Sequence, residues 1–338
     1  MNCNKDNGYN GGRECESVGR RDRSGYLPGE QPPAEEATEA GPIVNKRFVQ
    51  NFVRDYSLET TVLQARRIPR FAAVVPPGTR IYIPHTPRTQ LRDTVELATR
   101  LRNESMEPVP HIVARRVASL SVLDDFLGRL AGEAGVNRIL VVAGDIAKPS
   151  GQLGNALQIL ESGLLEKHGI RTVGVAGHPE GHREVGDAVL RDALKRKKVY
   201  AEQSGASVYI VTQFTFSAAP IIAWEASHRD EIGRLPITAG LPGLATARTL
   251  LKYAVECGIG ASLEAFSKRY DSLTKLLTMS APDETIVELV RYKERTPQSR
   301  IAGIHFFTFG GFEKTAAWVN QVASGNFEVT EDGKLVLI

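Results

Sequence analysis

The sequence predicts an α/β protein, a (β/α)8 TIM barrel with a disordered N-terminal extension and extra helices before the last strand. Three observations carry this expectation. Eight short β-type runs alternate with amphipathic helical patterns over about 260 residues, the element count of a (β/α)8 barrel. No G-x-G-x-x-G turn follows any of the runs, which disfavours an open doubly wound sheet with a dinucleotide fingerprint. Hydrophobic residues make up 42% of the 338, enough to fill a core of that size.

Residues 1–44 are polar, rich in Gly and Pro and nearly free of aliphatics, so they bury too little surface to offset their chain entropy. They read as a disordered extension. The barrel is expected over 45–324. Its strand runs are "YSLETTV" (56–62), "RIYIP" (80–84), "VPHIVA" (109–114), "RILVVAG" (138–144), "RTVGVAG" (171–177), "SVYIVTQF" (207–214), "PITAGLPG" (236–243) and "IAGIHFFTF" (301–309). Between them lie helical patterns such as "LRDTVELATRLRNE", "SVLDDFLGRLAGEAG", "DAVLRDALKRKKVYAEQSG" and "TARTLLKYAVECG". Extra helical sequence falls between 258 and 300, and the tail, 325–338, reads as a short hairpin with Asp-Gly at its turn.

Composition narrows the function classes. A net charge of +3 is small for this length and predicts neither nucleic-acid binding nor a polybasic membrane surface. No apolar run approaches the roughly 20 residues that cross a bilayer, and the N-terminus has no apolar signal core. Cys3, Cys15 and Cys257 are odd in number and lack metal-ligand spacing, which fits a reducing, cytoplasmic setting. An assembly of identical chains, a homo-oligomer, is compatible with this composition.

Barrel active sites lie at the C-terminal ends of the strands, and polar residues collect there. Strand one embeds Glu59, with Ser57 and Thr61 on the same face by the two-residue period. A buried carboxylate is costly without a task or a partner, although a solvated strand edge accounts for Glu59 equally well. Strand four ends in Gly144-Asp145, a place suited to a catalytic carboxylate or to a turn-capping Asp. Strand five runs into "GHPEGH", with His178, Glu180 and His182. Strand six ends at Gln213 beside Phe214 and Phe216, which suits a heterocycle or a core amide. His111 and His305 stand in strands three and eight. The two loop histidines lack H-E-x-x-H or paired-carboxylate support, so no metal is expected.

Taken together, these stretches resemble the methylenetetrahydrofolate reductase family. The resemblance rests on Glu59, on Gly144-Asp145, on "HPEGH" (178–182), on "TQF" (212–214) and on "HFFT" (305–308), in the family's order at successive strand ends. "PHIVA" with His111 and "LKRKKVYAEQSGA" with Lys197 extend it, over about residues 50–322. The chain departs from the family pattern at Ala143, where an Arg is common, at Leu153, where an aromatic is common, and at Gly310-Gly311, where an Asn-Arg pair occurs. A divergent branch is implied.

The resemblance implies a flavin-dependent reduction of 5,10-methylenetetrahydrofolate to 5-methyltetrahydrofolate in one-carbon and methionine metabolism. FAD is then the cofactor and NADH or NADPH the electron donor. Glu59 becomes the general acid, and Asp145 and Gln213 the folate-binding pair. His111, Gly144, Asp145, His178, His182 and Lys197 become cofactor contacts. Two other readings remain open: a folate-barrel methyltransferase without flavin, and a non-catalytic folate-binding partner subunit.

Overall fold

The computed structural model describes residues 44–259, 263–264, 267 and 279–338. The predicted extension lies outside these residues except for Val44, as do Cys3, Cys15 and most of the extra sequence between 260 and 278. Seven strands come first: β1 (Ser57–Glu59), β2 (Arg80–Ile83), β3 (Glu107–Val113), β4 (Arg138–Val142), β5 (Thr172–Gly177), β6 (Ser207–Thr212) and β7 (Ile237–Pro242). A short antiparallel pair, β8 (Ala245–Thr246) and β9 (Met279–Ser280), precedes β10 (Ile301–Phe307). Strands β1–β7 and β10 close into a parallel barrel in the order β1-β10-β7-β6-β5-β4-β3-β2, so the eight-stranded barrel is present.

The strands close because each buries both faces. Along β2, Ile81 and Ile83 join the large core under the helices, while Tyr82 between them points into the barrel. The inner cluster is Tyr82, Val109, Leu140, Tyr209 and Val211. Two inward hydroxyls satisfy each other, Tyr82 Oη to Tyr209 Oη at 2.7 Å, which removes the cost of burying them alone.

The surrounding helices carry their own signals. Helix α1 (Lys46–Arg54) starts at Asn45, whose side chain accepts from Arg47 N–H. It is followed by α2 (Val62–Ala65), α3 (Leu91–Asn103) and α4 (Leu120–Ala134), the last ended by left-handed Gly135. Next come α5 (Ala156–Leu160), α6 (Leu164–Lys167), α7 (Asp187–Ser204), α8 (Ala218–Ser227), α9 (Arg229–Ile232) and α10 (Ala247–Cys257). The described helices finish with α11 (Asp283–Arg295) and α12 (Phe312–Ser324), and α12 packs against α1. None of the described helices is long and apolar enough to cross a membrane.

Most barrel strands are shorter than their sequence runs, and at β1 and β10 the local reason is visible. The run 56–62 keeps only Ser57–Glu59 as strand because Thr61 caps α2. Its Oγ1 accepts from Gln64 N–H at 3.2 Å, and Gln64 Oε1 accepts from Thr61 N–H at 3.4 Å. The last barrel strand stops at Phe307 because Phe309 adopts φ 47°, a left-handed conformation that ends pairing. The tail pairs β11 (Phe327–Val329) with β12 (Leu335–Leu337) in antiparallel register.

Candidate functional site

A cavity of about 510 Å³ opens at the C-terminal ends of β3–β6. Its wall includes His111, Gly144, Asp145, His178, Lys197 and Gln213, together with His182. The structure thus gathers seven of the eight residues to which the resemblance gives a role. Glu59 is not in that wall.

Lys197 comes from α7, with its side chain folded under the loop that follows β5. It is 6% exposed, and its Nζ donates to Ala176 O at 2.8 Å. Among the described residues no carboxylate pairs with it. Burial pulls its pKa down to about 8, because an ammonium withdrawn from water is disfavoured.

The loop after β5 turns tightly, Gly181 N–H donating to His178 O at 3.1 Å with Gly181 at φ 76°. That turn sets the His178 and His182 rings edge to face, 5.4 Å between centroids. His182 Nδ1 accepts from Glu184 N–H at 3.2 Å. Burial first, then the charges of Lys197 and His182, lower the His178 pKa to about 3. His111 is lowered to about 3 by burial and then by the charges of His305 and His85. His111 Nε2 and His85 Nδ1 are sealed from solvent without a hydrogen bond among the described residues.

These two depressed histidines set a pH dependence. Each is held neutral in the fold, while the unfolded chain takes up protons as pH falls below 6.5, the ordinary histidine value. Their contribution to stability is therefore complete above that value and lost progressively between 6.5 and about 3. By about pH 5 the loss is roughly 1–2 kcal/mol for each histidine. Urea unfolding should show the parent falling more steeply from neutral to mildly acidic pH than His178→Gln. Equal slopes would remove His178 as a contributor.

Asp145 extends from the turn after β4 into the cavity rim. Its side chain is 80% exposed, and its Oδ1 accepts from Arg116 Nη2 at 2.8 Å. Gly144 before it has φ 99°, and a Cβ there would lie 2.5 Å from Val113 Cγ1, so the turn admits glycine alone without rearrangement. Gln213 follows β6. Its backbone N–H donates to Gly177 O at 2.8 Å, and its Oε1 accepts from Phe214 N–H at 3.1 Å. The Gln213 NH2 group has no protein partner among the described residues.

Glu59 sits at the end of β1 on a buried histidine. Its Oε2 lies 3.8 Å from His305 Nε2, and His305 Nδ1 is 3.0 Å from Ser57 Oγ. Parallel pairing of β1 with β10 places Ser57 opposite His305, which explains the contact. Thr308 Oγ1 donates to Glu59 O at 2.7 Å and fixes the backbone. His305 packs on Phe307, 4.9 Å between centroids, and Phe307 lines the cavity. Cys257, also in the cavity wall, is exposed at its surface, and crowding by the wall and then the charges of Glu59, Glu256 and Asp145 push its thiol up.

Sequence reasoning passed over His85, Arg115 and Arg116, all in the cavity wall. Their signal was position: "PHTP" and "ARR" stand directly behind strands two and three, where barrel loops build sites.

A family model described as methylenetetrahydrofolate reductase matches residues 59–322 of the chain. Three solved structures give the following likenesses. An uncharacterized protein from Clostridium thermocellum, described as binding two copies of 5-methyl-5,6,7,8-tetrahydrofolic acid, is 11% identical with a TM-score of 0.49. That match covers 82% of this chain and 100% of the other. A xylose isomerase domain containing protein from Salmonella typhimurium is 13% identical with a TM-score of 0.42, covering 80% and 98%. The carboxyl transferase domain of Rhizobium etli pyruvate carboxylase with 3-bromopyruvate is 12% identical with a TM-score of 0.40, covering 86% and 50%.

Proposed function

Because the chain belongs to the methylenetetrahydrofolate reductase family, we propose that it reduces 5,10-methylenetetrahydrofolate to 5-methyltetrahydrofolate. FAD is the proposed cofactor, and NADH or NADPH the proposed donor. The family ties the chain to folate-related chemistry of the oxidoreductase kind. The observation that carries the finer reading is Glu59 beside a buried histidine, 3.8 Å away, on the barrel that also carries a buried ammonium with no carboxylate partner among the described residues.

The cavity suits an anionic, aromatic cofactor. Lys197 offers an ammonium that no described carboxylate neutralises. His111 Nε2 and His85 Nδ1 are ring nitrogens lacking partners among the described residues, available to a polar heterocycle. His178, His182 and Gly144 border the same space. When bound, FAD supplies the hydride. The protein supplies the rest. Ser57 holds His305 Nδ1, His305 Nε2 faces Glu59, and Glu59 delivers the proton to the substrate nitrogen that departs when the five-membered ring opens. General-acid catalysis of this kind contributes about 10²–10⁴-fold. Asp145, as an anion, stabilises positive charge developing on the folate, and Gln213 orients the pterin through its free NH2 group.

The test begins with the purified protein. A yellow flavin band is expected, bleached anaerobically by NADH or NADPH and restored by methylenetetrahydrofolate. A protein that takes up no added FAD and turns over no folate would end this reading.

Lys197 gives a second check with an unusual sign. Its folded pKa, about 8, lies below the 10.5 of an ordinary lysine, so the fold binds fewer protons than the unfolded chain between those values. The burden is full below about pH 8 and relieved as pH rises toward 10.5. Without cofactor, Lys197→Met should therefore stabilise the protein at neutral pH, by about 3 kcal/mol before relaxation, and the gain should shrink in alkali. The same variant should lose FAD more readily while turnover at saturating FAD stays near normal. A cofactor-free Lys197→Met protein that melts lower than the parent would contradict this account.

A further inference from the structure

We propose that Arg116 is the positioning residue for Asp145, fixing its carboxylate over the cavity so that the folate meets a preset anion. This deepens the folate-reducing reading above and rests on it. The observation is an asymmetry within the pair. Asp145 is 80% exposed and stands on a loop, whereas the Arg116 side chain is 12% exposed and packed into the cavity wall. The buried partner is the anchor and the exposed one is what it holds.

The neighbouring residue prepares the loop. Arg115 N–H donates to Ala143 O at 2.9 Å, and Arg115 O accepts from Ser150 N–H at 2.8 Å. Its guanidinium then reaches further along, Nε to Gly154 O at 2.9 Å and Nη1 to Ile146 O at 3.1 Å. The loop after β4 is thus tied at four points to the turn after β3, on both sides of Asp145. Arg115 holds the backbone, and Arg116 holds the carboxylate. The Arg116 contact is a single one, Nη2 to Oδ1 at 2.8 Å, rather than a two-point fork. A lysine can make one such contact, so it should replace Arg116 here, as it could not at a bidentate site.

Four chains decide the matter: the parent, Arg116→Gln, Asp145→Asn and the double variant, each checked for an unchanged melt. In FAD-loaded enzyme, Arg116→Gln should raise KM for methylenetetrahydrofolate about fivefold, the scale of an exposed ion pair, with kcat moving less. In the Asp145→Asn background the same change should add less than about twofold, because the group it positions has been removed. Arg116→Lys should return KM to within about twofold of the parent. Factors that multiply across the two sites, or a lysine variant as impaired as the glutamine one, would overturn the proposal and leave the functional reading standing. If the parent shows no turnover, dissociation constants for 5-methyltetrahydrofolate across the same chains give the same cycle. A parent that neither turns over nor binds folate removes both.

Discussion

Glu59→Gln is expected to cut methylenetetrahydrofolate reduction by at least about 100-fold, the lower bound of lost general-acid catalysis, while FAD binding and its reduction by the nicotinamide donor persist. The substitution keeps the shape of the side chain and its place beside His305, 3.8 Å away, but removes the transferable proton. The donor half-reaction needs no proton on folate, so separating the two half-reactions by stopped flow isolates the effect. Asp145→Asn should differ in kind. It removes an anion from the cavity rim, weakening folate binding and altering the flavin's own reduction. If Glu59→Gln reduces folate at the parent rate, Glu59 is only a strand residue beside a histidine.

Gly144→Ala is the largest expected loss of stability. At φ 99° an added Cβ is strained, at a cost of about 1–2 kcal/mol. The same Cβ would stand 2.5 Å from Val113 Cγ1, and overpacking adds about 1–3 kcal/mol. A loss near 3 kcal/mol should lower the melting temperature by about 6–12 °C and loosen the loop that carries Asp145. Gly132→Ala is the matched control. Gly132 lies inside α4 with open space where its Cβ would go, so the change should stabilise by up to about 1 kcal/mol through helix propensity. A Gly144→Ala protein as stable as the parent would show that Val113 and the turn relax freely.

The barrel was legible because its signals are local and repeated. Runs such as "RILVVAG" are buried on both faces, and helices such as Leu120–Ala134 announce themselves by Ser119 at one end and Gly135 at the other. Strand ends then locate polar residues, which is how His111, Asp145, His178 and Gln213 could be gathered before any coordinates. What was hidden depends on side chains meeting across the fold. Nothing near Glu59 in sequence reveals that His305 will be its neighbour, since that follows from which strands close the barrel. Arg115 and Arg116 carry no sequence signal of their partners, which only the folding of the strand-four loop onto them supplies. The resemblance picks Lys197 out of a basic helix, but only the fold shows that it is buried while Arg196 and Lys198 stay exposed.

The seam between β1 and β10 has a consequence for how the molecule comes into being. Ser57 and His305 are 248 residues apart, and the β1 side of the seam is a strand of three residues with two registered partners. Contacts of such separation reward the chain late, after its loop-closure entropy has been met, so this pairing belongs to the end of folding rather than its start. On the ribosome, β1 emerges first and waits for almost the whole barrel before it finds its mate. The same event brings Glu59 to His305, so ring closure of the barrel and assembly of the acid are one step. An incompletely closed intermediate can therefore hold most of its helices and its cavity wall, and still lack the group proposed to make it an enzyme.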